Sequence, residues 1–167
     1  MIISLFGGSQ PDEETYALAY ELGKRIAQKG YTLKNGGNNG TMEASAKGCV
    51  ENGGTVIGVG MRNSTVPSLR LKNSHSTQYI DFEKYNERVA EMMNADRMIV
   101  LPGQIGTMEE LFTAWVEAIV YNHPPVVIMG PRNKELLEFL IAKDFIKPEH
   151  AQHLQYASSI DEIDFLK

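Results

Sequence analysis

The stretch Pro102-Gly103-Gln104-Ile105-Gly106-Thr107-Met108-Glu109-Glu110 joins two segments of different period. Before it runs a short apolar block, Met98–Leu101, and after it a longer amphipathic segment, Leu111–Tyr121. A short apolar run bounded by turn residues reads as a buried strand; apolar residues recurring every three or four positions read as a helix. The stretch is therefore a strand, a glycine-bearing turn, and a helix opening with a threonine and two carboxylates. N–H groups at a helix start have no partner within the helix and point outward, so an anion docks there readily. Carboxylates one turn further in lie close to whatever that anion is attached to. A phosphate grip beside an acid suits a site that acts on a phosphorylated small molecule.

Working outward, the same alternation runs the length of the chain. Ile2–Phe6 is a strand ending in Gly7-Gly8-Ser9, and Pro11-Asp12-Glu13-Glu14 opens a helix with negative charge at its positive end. Leu18, Ala19, Leu22 and Ile26 line one face of that helix, and Gly30 closes it. Tyr31–Lys34 is a second strand, followed by the loop Asn35-Gly36-Gly37-Asn38-Asn39-Gly40, a helix over Thr41–Glu51 and a strand over Thr55–Val59. Residues 60–76, with Pro67 and the basic trio Arg62, Arg70 and Lys72, read as a long loop. A short strand over Gln78–Phe82 and a helix over Glu83–Asn94 come next, the latter with a core stripe of Tyr85, Val89 and Met92. A strand over Pro125–Met129, a helix over Glu135–Ile141 and a short helix near Asp161–Leu166 complete the chain. Alternating strands and helices predict an α/β protein: one domain over 1–167, a doubly wound parallel sheet with its site at the carboxyl ends of the strands.

Composition narrows the partners. With 167 residues the chain can bury one full core. A net charge of −5 speaks against nucleic acid, whose binders carry a basic surface. No apolar run reaches the length that crosses a membrane, and Met1 leads straight into a strand-like segment rather than a leader. The single cysteine, Cys49, forms no internal disulfide and suits a reducing, cytoplasmic setting. His75, His123, His150 and His153 are scattered, so no metal centre is expected.

Three glycine-bearing turns follow strands: Gly7-Gly8-Ser9, Gly36 to Gly40, and Gly103 to Gly106. In a parallel sheet they gather on one rim. Turn geometry alone explains any one of them; three together, two leading into Thr-Met, point to a ligand site. None spells the dinucleotide fingerprint or a P-loop. Arg88 lies at the border of its helix's core stripe, and two readings stand. It is either an arginine laid along the surface or a fork for a phosphate or a ribose diol. Glu109 and Glu110 either complement the helix dipole or act on substrate. Met108, Leu111, Phe112, Trp115 and Ile119 mark the buried face, which leaves Glu109 toward solvent and Glu110 on a flank, the better placed of the two.

These motifs resemble those of the Lonely Guy family, cytokinin riboside 5′-monophosphate phosphoribohydrolases often mislabelled lysine decarboxylases. Pro102 to Glu110 is similar to the family's Pro-Gly-Gly-x-Gly-Thr-x-x-Glu signature, and Asn35 to Met42 to its Gly-Gly-Gly-x-x-Gly-Leu-Met loop. Glu87 to Met92 resembles its Glu-Arg-Lys-Ala-Glu-Met, and Phe145 to His150 the segment before its final helix. The resemblance implies a Rossmann-like homodimer that needs no cofactor and hydrolyses a nucleoside 5′-monophosphate to free base and ribose 5-phosphate. It implies phosphate binding by Gly103, Gln104, Gly106 and Thr107, with Gly36, Gly37 and Gly40, and with Gly8 and Ser9, on the same cleft. Arg88 and Glu110 would be catalytic. The chain departs from the pattern at Gln104 (glycine in the signature), Val89 (lysine) and Asn35 (glycine). A non-catalytic carrier of a nucleotide or of a phosphorylated cofactor of the molybdenum-cofactor type is the alternative on the same scaffold.

Overall fold

Alternate side chains of each central strand enter opposite layers. Ile3 and Leu5, Ile99 and Leu101, Val127 and Met129 join one core cluster; Phe6, Met98, Val100, Val126 and Ile128 join the other. A strand buried on both faces must be apolar at successive positions, which is why these segments read as unbroken apolar runs. The computed structural model describes residues 1–66 and 70–167. Seven strands form one sheet: β1 (Ile2–Phe6), β2 (Thr32–Asn35), β3 (Thr55–Met61), β4 (Gln78–Phe82), β5 (Arg97–Val100), β6 (Val126–Met129) and β7 (Leu154–Ala157). All neighbours pair parallel, in the order β4-β3-β2-β1-β5-β6-β7. The chain winds outward from β1 to β4, then returns to the other side of β1 at β5. That reversal puts the switch point, where doubly wound folds hold ligands, between β1 and β5.

Helices α1 (Glu13–Gln28) and α2 (Thr41–Glu51) cover one face; α3 (Tyr85–Met93) and α4 (Ile105–Val120) cover the other. Asp12 caps α1 by accepting from Thr15 N at 2.7 Å. The α1–α2 crossing is very close. A Cβ on Gly23 would land on the Ser45 carbonyl, and one on Gly48 on the Tyr20 carbonyl. Helix α5 (Pro131–Ala142) is moored by the buried Asn133, whose amide donates to Val100 O and Met129 O at 3.1 and 3.0 Å. A short helix, α6 (Pro148–Ala151), precedes β7, and two 3-10 turns (Ile160–Glu162 and Asp164–Leu166) bring Ile163 and Leu166 into the α1 core.

The α/β class and the parallel sheet agree with the sequence reading; several details differ. Strand β7 was not expected: its four residues, Leu154–Ala157, lie at a sheet edge and only Ala157 is fully buried, so they carry little hydropathy signal. Strand β3 runs on through Gly60 and Met61, and of the loop expected over 60–76, residues 67–69, including Pro67, lie outside the described residues. Helix α4 starts at Ile105, which moves both carboxylates into its second turn. The expected final helix is the pair of 3-10 turns, and Tyr85 and Phe112, assigned to core faces, are 44% and 38% exposed.

Candidate active site

Three strand-to-helix turns are stitched together at Gly8. Its N–H donates to Pro102 O at 3.2 Å, and its carbonyl accepts from both the N–H and the hydroxyl of Thr41 at 3.0 Å. Gly40, with φ +70°, precedes α2 so closely that a Cβ there would stand 2.6 Å from Gly8 O. The backbone conformation and the contact together demand glycine. Asn35, which stands where the pattern has a glycine, organises the loop from within. It sits in β2 with negative φ, donates to Met42 O and Ser45 Oγ at 2.9 and 3.1 Å, and accepts from Gly37 N at 2.9 Å.

Beside this stitch lies a cleft of about 430 Å³, bounded by Gly7 to Gln10, Asn38, Asn39 and Met42 on one side and Gln104 to Thr107 on the other. Gln104 gives α4 no side-chain cap, so the N–H groups of its first turn are available to an outside acceptor. Gly106 faces open space. Arg88 and Glu110 close the far wall.

Arg88 is 5% exposed. Its Nε donates to Val59 O at 3.0 Å, and its guanidinium fills the space where Gly36 has no side chain, 2.6 Å from a built Cβ. Its Nη1 stands 3.5 Å from Glu110 Oε1. An arginine of α3, seated over the ends of β2 and β3, thus meets a carboxylate of α4 across the switch point. Glu110 is pushed up to about 7, chiefly by burial; the Arg88 guanidinium pulls the other way, and Glu109 adds to the rise. Glu109 itself binds the Tyr85 hydroxyl at 3.0 Å and Thr113 at 3.1 Å. Behind the site, the fully buried Lys34 ties β2 to the end of α3, donating to Glu91 O, Glu91 Oε1 and Asn94 O at 2.9, 2.7 and 2.6 Å.

Of the residues singled out from sequence, Arg88, Glu110, Gly8, Ser9, Gln104, Gly106 and Thr107 come together on the cleft. Arg88 is neither laid along the surface nor at a border, and Glu110 is buried rather than on a flank. Gly36, Gly37 and Gly40 lie beneath the lining: Gly36 makes room for Arg88, Gly37 for the Tyr79 ring, and Gly40 for Gly8. Gly103 lies just outside, packed on Thr107. Val89 belongs to the core, so its departure from the lysine pattern alters packing and not the lining. Sequence reasoning missed Asn38, Asn39, Met42, Tyr85 and Ile105 as lining; the first three were legible as members of the second glycine loop.

The SLOG cluster4 family profile matches residues 1–162, nearly the whole chain. The chain belongs to the SLOG cluster4 family. This SLOG cluster4 protein is 38% identical over 135 residues to an uncharacterized protein of Archaeoglobus fulgidus, an alignment covering 79% of this chain and 86% of that one. It is 33% identical over 128 residues to a cytokinin riboside 5′-monophosphate phosphoribohydrolase of Mycobacterium tuberculosis, covering 71% of this chain and 64% of that protein's length. The Lonely Guy resemblance of its motifs therefore holds over most of the chain. Among solved structures, the SLOG cluster4 chain matches the molybdenum cofactor binding protein of Rippkaea orientalis with a TM-score of 0.74 and 25% identity, covering 99% of this chain and 93% of that one.

Proposed function

We propose that this protein hydrolyses the N-glycosidic bond of a nucleoside 5′-monophosphate of the AMP or cytokinin-riboside type. The single observation carrying the proposal is the meeting of Arg88 and Glu110, from separate helices, on a cleft that also holds the uncapped start of α4. In the reaction the C1′–N bond breaks with its electron pair leaving on the base. Water forms the new C1′–O bond, and its proton ends on the base. Positive charge develops on the sugar as the base departs, so a fixed carboxylate beside C1′ lowers the barrier. Glu110 supplies that charge and orients the water. Arg88 holds the ribose phosphate, and the N–H groups of Gly106 and Thr107 take the phosphate oxygens. No cofactor enters this chemistry.

The carrier reading is supported by Gln104, which puts a side chain where the signature keeps bare backbone, and by the likeness to a molybdenum cofactor binding protein. Incubation with a panel of nucleoside monophosphates separates the two. Free base and ribose 5-phosphate are expected, with kcat/KM reduced at least about 100-fold by Arg88→Ala. Ligand retained without base release would support the carrier and overturn the hydrolase.

We further propose a homodimer built on α4. Val116, Val120 and Tyr121 are 56%, 63% and 65% exposed, and Val116 and Val120 share an apolar hollow with Phe112, Trp115, Ile119 and Ile146. An apolar row of this size is costly to leave in water and marks an association surface. Sedimentation is expected to give about twice the 18.6 kDa chain mass, and Val116→Lys to return it to one chain.

A further inference from the structure

A second cavity, of about 150 Å³, adjoins the cleft. Gly8, Ser9, Gln10 and Gln104 line both. Gly106 and Thr107 face only the first; Pro102 and Gly103 face only the second. The start of α4 therefore stands between two spaces, with Arg88 and Glu110 on one side and nothing yet assigned on the other. A water claims roughly 30 Å³ in the liquid, so the second space has room for a sugar-sized group.

We infer that the ligand extends beyond its phosphate into this second cavity through a polar, hydroxyl-bearing group joined by a phosphate ester or diphosphate link. The inference rests on the reading of the first cleft as a nucleoside phosphate site. It extends the ligand class beyond free monophosphates to nucleoside phosphates bearing a further sugar-like group. Gln104, which immediately precedes the first turn of α4, lines both spaces, so such a link would pass beside it.

The lining selects the kind of group. Asp12 and Glu14 bring two carboxylates against one guanidinium, Arg132. That balance disfavours another bare phosphate and favours hydroxyls, which donate to carboxylates while accepting from arginine. Asp12 is fixed at the cavity wall by capping α1 through Thr15 N at 2.7 Å. Leu18, Pro102 and Pro131 add apolar wall for the carbon face of a ring. Gln104 stands on the partition with no capping bond of its own, its amide able to meet groups on either side. The residue that departs from the family signature is one of the four shared by both spaces.

Calorimetric titration with AMP, ADP and ADP-ribose tests the inference. ADP-ribose carries the distal sugar; ADP carries the added charge without it. ADP-ribose is expected to bind at least about tenfold tighter than AMP, and ADP no tighter than AMP. The ratio of AMP to ADP-ribose Kd is expected to fall toward one in Leu18→Trp, which fills the second cavity. It is also expected to fall in Arg132→Ala, an exposed substitution that leaves the core intact. Equal affinity for AMP and ADP-ribose, or a ratio untouched by both variants, overturns the inference. If AMP is still hydrolysed in that case, the glycosidase reading stands and only the extension fails. If no nucleotide binds and none is turned over, both fall.

Discussion

Replacing Glu110 with glutamine is expected to lower kcat by roughly 10²–10³, the usual cost of removing one preorganised electrostatic stabiliser, while AMP affinity changes far less. Glutamine keeps the shape but not the charge. The loss then falls on the transition state, in which the sugar becomes cationic, and spares the neutral ground state. The pH profile carries the same signature. With Glu110 pushed up to about 7 by burial, kcat/KM of the wild type is expected to rise about tenfold per pH unit below 7 and flatten above it. Glu110→Gln is expected to lose that slope. Stability moves the opposite way. The folded protein keeps the Glu110 proton at pH values where the unfolded chain, near the ordinary 4.5, has released it. The fold therefore loses stability as pH rises from about 4.5 through about 7, and thermal melts of the glutamine variant are expected to lack this component. A variant as active as wild type would remove Glu110 from the chemistry.

Gly23→Ala is expected to destabilise the fold by about 3 kcal/mol, the upper end of overpacking costs. For a chain of this size that is a melting temperature lower by roughly 6–12 °C. The sign is what makes the test informative. In an exposed helix interior, alanine in place of glycine is stabilising by about 0.8–1 kcal/mol. At Gly23 the new Cβ would occupy the Ser45 carbonyl of α2, a backbone group that cannot move aside as a side-chain tip can. Gly48 makes the reciprocal contact on Tyr20, so α1 and α2 would have to separate. A melting temperature equal to or above that of wild type would mean that the two helices are not held this close.

The parts of this molecule readable from sequence were those with local causes. Strands β1, β5 and β6 announce themselves because burial on both faces forces consecutive apolar residues. The rim of glycine turns follows from the single direction of a parallel sheet. Arg88 and Glu110 were candidates from residue type and position, but their catalytic roles came from motif resemblance, since helical periodicity placed one at a border and the other on a flank. Their burial depends on α3 and α4 facing each other over the switch point, a fact no window of sequence contains. Gly36 belongs to the same class: it looks like a cradle for a ligand, whereas its missing side chain admits an arginine from 52 positions further along the chain. Strand β7 escaped because a half-buried edge has a weak apolar pattern, and Lys34 because a lysine in a strand gives no hint of three acceptors waiting at the end of α3.

The stitch at Gly8 governs how a ligand is received. A donor to Pro102 and an acceptor for Thr41 fasten three loops to one another. Little conformational freedom is then left for an incoming molecule to freeze out, so the entropic toll of association is small. For related ligands of such a site, differences in affinity are expected to lie mainly in the dissociation rate.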